Sequence, residues 1–369
     1  MSLRFLAFGL KSRELLGEVP VTPEGDLSVL LQAFGTGKLS LALGDPQCPP
    51  NWRETLIPWR VLYIAVDEQK RIVWHGVPYH RSRPGDGRVS FPTRTLEGYL
   101  LERYTRTRTY ADRDQTAIAQ DLASIAGDAA GLPLEYDCPP SGVRRTVDYE
   151  DSENVRLYDT LQELAALENG FNWQIAVEWA DGTHRRLRYV FRTGYPYLGY
   201  RTDRPERVFS LVSEGERTAG NILLPALEES WDTGSAATHV EILGAGDGAG
   251  KPRSAPVVDT LREATGWVRL EQREQLSSGI QDQLTLDDRA RELAAELFGG
   301  QSVLTITVED APGSRLADVT PGDSARVTVK TADLQEDGVF IVVGKYFGAG
   351  GGQWRPVLAK LGGGAADGF

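Results

Sequence analysis

The chain has 369 residues, enough for two or three modules of roughly 100–150 residues and a sizeable core. Forty Lys and Arg against fifty-two Asp and Glu leave a formal net charge of −12, which argues against a protein that coats nucleic acid by neutralising phosphates. Two cysteines, Cys48 and Cys138, exclude a disulfide framework or a four-thiolate zinc site, and the expectation is a pair of buried free thiols.

The amino terminus places Phe5, Leu6, Ala7 and Phe8 before Lys11, Arg13 and Glu14. That apolar run is far shorter than the roughly 20 residues that span a bilayer, so the expectation is a chain made in the cytoplasm, with no stable membrane insertion. Val61 to Val66 and Arg71 to Val77 are rich in β-branched and aromatic residues and flank a hairpin-sized polar stretch, so they should pair. Leu3 to Leu10, Lys38 to Leu43 and Arg88 to Phe91 are expected as their neighbours.

From about Tyr104 the period changes. Ile118, Leu122 and Ile125 recur at helical spacing behind Asp112 and Gln115, which resemble a capping box. A second helix is expected from near Ser152 through Leu157, Leu161 and Leu164 to a left-handed stop at Asn169 and Gly170. Phe171, Trp173, Ile175, Val177 and Trp179 then alternate with mostly polar residues, and Asp181 and Gly182 turn the chain into Leu187, Tyr189 and Phe191. Residues 105–200 therefore read as a compact α+β module. The last third returns to strands, expected at Arg207 to Val212, Thr238 to Leu243, Trp267 to Leu270, Val303 to Val308, Ala325 to Lys330, Val339 to Tyr346 and Trp354 to Leu361. One helix interrupts them from Thr285 to Phe298, and a frayed Gly-rich tail is expected from Gly362 to Phe369.

Patterns that carry chemistry are weak. Gly35, Thr36, Gly37 and Lys38 lack both the first glycine and the hydroxyl of a phosphate loop, and the stretch from Gly244 to Lys251 fails on spacing and on Pro252. His75, His80, His184 and His239 show no metal-ligand spacing, and Cys138 precedes Pro139 and Pro140, a poor setting for a nucleophile. Arg103, Arg106, Arg108 and Arg113 interleave with Tyr104 and Tyr110, while His184, Arg185, Arg186, Arg188 and Arg192 decorate the hairpin. They suit either nucleic acid or a solvated strand face, and the acidic balance favours the face.

Three segments together resemble the hub proteins of phage tails, the tail-associated proteins related to the baseplate hub of contractile injection machines. VLYIAVDEQKRIVWHGVPY (61–79) is followed by RVSFPTRTLEGYLLERYT (88–105). THVEILGAGDGAG (238–250) is a strand running into a Gly and Asp loop. LADVTPGDSARVTV (316–329), GVFIVVGKYF (338–347) and WRPVLAKL (354–361) close the chain.

The resemblance implies an α+β, mainly β protein with two hub-type β-barrel domains and an inserted α+β domain. The expected division is 1–104 for the first barrel, 105–200 for the insertion, 201–235 for strands returning to the first barrel, and 236–369 for the second barrel with a helix at 285–298. It further implies a structural virion protein with no catalytic, cofactor or metal residues: a homotrimeric hub at the tail tip, assembled in the bacterial cytoplasm. Its partners would be the distal tail or tail tube protein, the tape measure protein and tip or receptor-binding proteins, with DNA only in transit. The competing expectation is a cell-wall hydrolase or a carbohydrate-binding tail-tip protein.

Overall fold

The run Val61–Val66 is buried at all six positions, and the reason sets the architecture. Val61, Tyr63 and Ala65 belong to one hydrophobic core with Phe5, Trp74 and Phe91, whereas Leu62, Ile64 and Val66 belong to another with Ile118, Leu161 and Trp173. A strand apolar on both faces lies between two layers. The structure, a computed structural model, describes residues 3–214, 217–244, 246, 250–276, 282–348 and 350–360. The Gly-rich tail and residues 245 and 247–249 of the Gly244–Lys251 loop lie outside the described residues.

The first hundred residues hold β1 (Arg4–Gly9), β2 (Leu15–Glu18), β3 (Val21–Pro23), β4 (Leu27–Leu30), β5 (Thr36–Ala42), the short helix α1 (Trp52–Thr55), β6 (Val61–Val66), β7 (Ile72–Pro78) and β8 (Arg88–Arg94). Seven of these strands form an antiparallel sheet in the order β2-β1-β6-β7-β8-β5-β3. The expected hairpin of β6 and β7 is present, with Ile64 opposite His75. Val19 and Pro20 alone separate β2 from β3, so one bent stretch supplies both ends of the sheet. Pro20 has no N–H to continue a ladder, which suits it to that bend.

A middle module follows: β9 (Arg108–Asp114), α2 (Gln115–Ala126), β10 (Leu134–Asp137), β11 (Arg144–Tyr149), α3 (Leu157–Ala165), β12 (Asn172–Trp179) and β13 (Leu187–Gly194). The β12–β13 hairpin forms as expected, from Asn172↔Gly194 to Trp179↔Leu187, and its Trp173 and Ile175 pack in one core with Leu122 and Leu161 of the helices. Capping of α2 differs from expectation: Asp114, not Asp112, accepts from Thr116 N–H at 2.9 Å, because the helix starts at Gln115 and Asp114 is the residue immediately before it. Helix α3 is shorter than expected. The polar stretch Asp151–Glu153 makes a separate turn ending in left-handed Asn154, and left-handed Asn169 falls three residues beyond the C-cap Ala166.

The remaining elements are β14 (Val208–Glu214), β15 (Arg217–Gly220), β16 (Ile222–Ser230), β17 (His239–Leu243), β18 (Val257–Val258), α4 (Thr260–Ala264), β19 (Glu271–Gln275), α5 (Gln283–Leu297), β20 (Gln301–Glu309), β21 (Ser324–Lys330), β22 (Gln335–Phe347) and β23 (Gln353–Lys360). A second large sheet runs β15-β14-β21-β22-β23-β20-β16, with β4 added to β22. Two expectations fail here. Residues 201–235 do not return to the first sheet: β14 pairs with β21 and β16 with β20, and Phe209 of β14 packs edge-on against Trp354 of β23. Nor does 236–369 form one sheet: β17, β18 and β19 make a separate three-stranded sheet packed with α5, and Val240, Ile242 and Leu293 join the core of α2 and α3. Trp267 to Leu270 is not a strand; the strand starts at Glu271, and Trp267 and Val268 are exposed. Helix α5 begins two residues early because Asp282, not Thr285, caps it.

The two large sheets share a strand order. β1-β6-β7-β8-β5 in the first matches β14-β21-β22-β23-β20 in the second, and a divided strand flanks each, β2 and β3 in one, β15 and β16 in the other. They differ at one pairing: β1 is antiparallel to β6, while β14 is parallel to β21. Among the described residues no helix is long and apolar enough to cross a membrane.

Candidate assembly interface

The two large sheets join where β4 leaves the first and adds to the second. β4 pairs antiparallel with the end of β22, from Leu27↔Phe347 to Leu30↔Gly344, and Leu31 N–H then donates to Val343 O at 2.8 Å. Charge reinforces this junction: Asp26 pairs with Arg355 of β23, and Arg71, just before β7, bridges Asp67 and Asp318. Lys345 supports Asp318 from behind. Its Nζ is buried and donates to Leu316 O at 3.2 Å and Val319 O at 2.9 Å, which bracket the turn carrying Asp318. Burial pulls that amine down to about 8, so its two carbonyl contacts are what make the position tolerable.

A second joint connects the first sheet to the middle module. His75 of β7 accepts at Nε2 from Leu96 N–H at 3.1 Å, which places the proton of the neutral ring on Nδ1. Glu97, in the turn Leu96–Glu102, accepts at Oε1 from Ile175 N–H of β12 at 2.9 Å. Its Oε2 lies 3.9 Å from His75 Nε2 and has no hydrogen-bond partner. Burial moves both groups away from charge, His75 down to about 3 and Glu97 up to about 7. Both side chains are buried in the joint, so the geometry describes a polar fastening and not an acid–base couple facing a substrate.

Residues singled out in the sequence are scattered. Gly35–Lys38 enters β5 instead of looping around an anion: Gly35 N–H donates to Thr95 Oγ1 at 2.8 Å and Lys38 pairs with Glu24 at 2.8 Å. His80 is exposed, His184 packs edge-on against Trp179, and His239 lies 3.3 Å from Glu263. Among the described residues no group of three or more His, Cys, Asp or Glu could hold a metal ion. Cys48 and Cys138 are free but half-buried, and burial pushes the Cys138 thiol up to about 11. Of the arginines, Arg103 pairs with Asp128, Arg106 with Asp151, Arg108 with Asp121, and Arg188 and Arg192 with Glu178. Those cations are neutralised by carboxylates of α2, the loop after it, the 151–153 turn and β12, which favours the solvated-face reading over phosphate binding.

Sequence reasoning missed Glu97, Lys345, Asp26 and the whole of β16. Lys345 carried a signal, a lone cation inside the apolar run FIVVGKYF. β16 carried another, the cluster ILLPAL at 222–227, where Leu223, Leu224 and Leu227 prove exposed.

No protein-family model matches the chain, and no curated protein matches it in sequence. Solved structures do match in shape. A tail protein from Neisseria meningitidis MC58 aligns with a TM-score of 0.62 at 15% identity, covering 99% of this chain and 98% of that one. The 43 kDa tail protein of prophage MuSo2 from Shewanella oneidensis aligns with a TM-score of 0.58 at 13% identity, covering 97% and 98%. An E. coli component of the type VI secretion system, described as structurally similar to the T4 bacteriophage tail proteins gp27 and gp5, aligns with a TM-score of 0.50 at 12% identity, covering 99% and 78%. The chain therefore has the mainly β fold of phage tail proteins, the hub-related fold that its sequence resembles.

Proposed function

We propose that this chain is a structural tail protein, a homotrimeric hub that joins the distal tail or tail tube protein to tip or receptor-binding proteins and leaves a channel for DNA. In this reading the two large sheets are related barrels, so three copies offer six similar units to a sixfold tube. The observation that carries it is the shared strand order, with a divided strand flanking each sheet, joined in one chain by β4 and the Asp26–Arg355 pair. Likeness in fold to phage tail proteins over nearly the whole chain supports a virion role. The net charge of −12 suits a wall past which DNA slides without being gripped.

Size-exclusion chromatography with light scattering tests the trimer. A mass of three times the 40.5 kDa chain is expected, and a strictly monomeric species across the micromolar range overturns the reading. In this reading the chain is no enzyme, so purified protein should release no soluble fragments from peptidoglycan.

A further inference from the structure

Strand β16 is apolar and uncovered. Of its residues only Ile222 is buried, while Leu223, Leu224 and Leu227 are 52%, 64% and 43% exposed, with Trp231 at 45% just beyond. β16 stands at the end of its sheet, bonded along one side to β20. Exposed apolar strands in that position are sites for pairing with another chain. The same stretch is acidic: Glu228, Glu229 and Asp232 are exposed and make no ion pair among the described residues.

The junction inside the chain indicates what covers β16. There, the connection after β3 carries Asp26 and β4 onto the end of β22 and onto Arg355. In the shared order β16 stands where β3 stands, β7 stands where β22 stands, and α1 precedes β6 as the turn Leu316–Asp318 precedes β21. Repeating that junction between copies would carry the chain that leaves β16, with Glu228, Glu229 and Trp231 at the departure point, to the end of β7 in the next chain, where Trp59 N–H, just beyond α1, donates to Pro78 O. That surface carries more cations than anions, with Glu54 and Asp86 exposed among its arginines. Arg53, Arg83 and Arg88 are exposed with no ion pair among the described residues, and Arg53 and Arg83 lie 4.5 and 5.8 Å from the Trp52 ring centre. Tyr63 Oη, donating to Thr55 O at 2.7 Å, holds α1 to the sheet beneath.

Resting on the trimeric reading above, we propose that β16 and Trp231 form the contact between copies, docking head to tail on the arginine cluster around Trp52 of a second copy. The two patches differ, so the contact is heterologous and is satisfied at every subunit only when the ring closes. Leucines supply the desolvated area, and the opposed charges set direction and exclude a two-fold pairing of β16 with itself.

Light scattering over a dilution series tests this with three proteins besides the wild type. Leu224→Asp with Leu227→Asp should leave a monomer with an unchanged melting profile. Glu228→Arg with Glu229→Arg should weaken the trimer at least tenfold, and adding Arg53→Glu with Arg83→Glu should restore it. A trimer that survives the leucine substitutions overturns the surface while the trimeric reading stands. Failure of the second reversal to restore assembly overturns the arginine partner. A monomeric wild type overturns the trimeric reading itself, and the contact with it. Should the leucine protein misfold, the charge exchange decides alone, since all four of its positions are exposed.

Discussion

Replacing Glu97 with Gln tests whether the joint between the first sheet and the middle module holds a neutral acid. Gln keeps the Oε1 that accepts from Ile175 N–H, and removes only the ionisation. Glu97 is raised from 4.5 to about 7 by burial. An acid whose folded value lies above its unfolded value stabilises the fold fully below the unfolded value and loses that contribution as pH rises through the folded one. The wild type should therefore lose about 2 to 3 kcal/mol from this group between pH 5 and pH 8, and the Gln variant should not. His75 acts in the opposite sense: its folded value is depressed to about 3, so its contribution is present at neutral pH and is lost as pH falls from about 6.5. It is present in both proteins and cancels in the difference. Urea unfolding of the two proteins at pH 5 and pH 8 measures the effect. The Gln variant should gain on the wild type as pH rises. Parallel pH dependence would refute a buried, neutral Glu97.

Two further substitutions probe the second sheet. Trp354→Ala should cost about 3 to 5 kcal/mol in urea unfolding, because Trp354 is 1% exposed, packs edge-on to Phe209 at 5.8 Å and donates from Nε1 to Ser314 O at 2.8 Å; a loss under about 1 kcal/mol would contradict that packing. Gly220→Ala should lower the unfolding free energy by about 2 kcal/mol or more, and the urea midpoint with it, since Gly220 has φ +132 and a Cβ there would sit 1.9 Å from Ser210 O. An unchanged midpoint would mean that the division between β15 and β16 is not as tight as the structure has it.

Local pattern was legible wherever one segment carried its own signal. The run Val61–Val66, the alternation from Trp173 to Trp179 and the stripe Ile118, Leu122, Ile125 all become the expected elements, since periodicity reports which face is buried whatever it is buried against. Partner choice was not legible. Phe209 and Leu211 alternate equally well for either sheet, and it is the pairing of β14 with β21 and the fit of Phe209 against Trp354 that assign them to the second. The polar fastenings were hidden for a related reason. His75 and Glu97 lie 22 positions apart in sequence, and a carboxyl becomes a neutral group only when tertiary structure removes its water.

β16 resisted the sequence reading because it breaks the rule that makes strands readable. Pro225 interrupts it, and Leu223, Leu224 and Leu227 do not alternate with polar residues, so no face is marked as the inner one. Within an isolated chain that pattern is a defect: it leaves leucine in water at the end of a sheet. The neighbouring strands show that the fold does not tolerate such exposure for want of a better choice. β20, bonded to β16 along its length, buries Leu304, Ile306 and Val308, and sets Thr305 and Thr307 between them. Two strands of one sheet thus follow opposite logic, one alternating, the other apolar without alternation from Ile222 to Leu227. A further layer on β16 is the simplest physical condition under which the second pattern is stable, and Glu228 and Glu229, exposed with no ion pair among the described residues, would favour a basic surface in that layer.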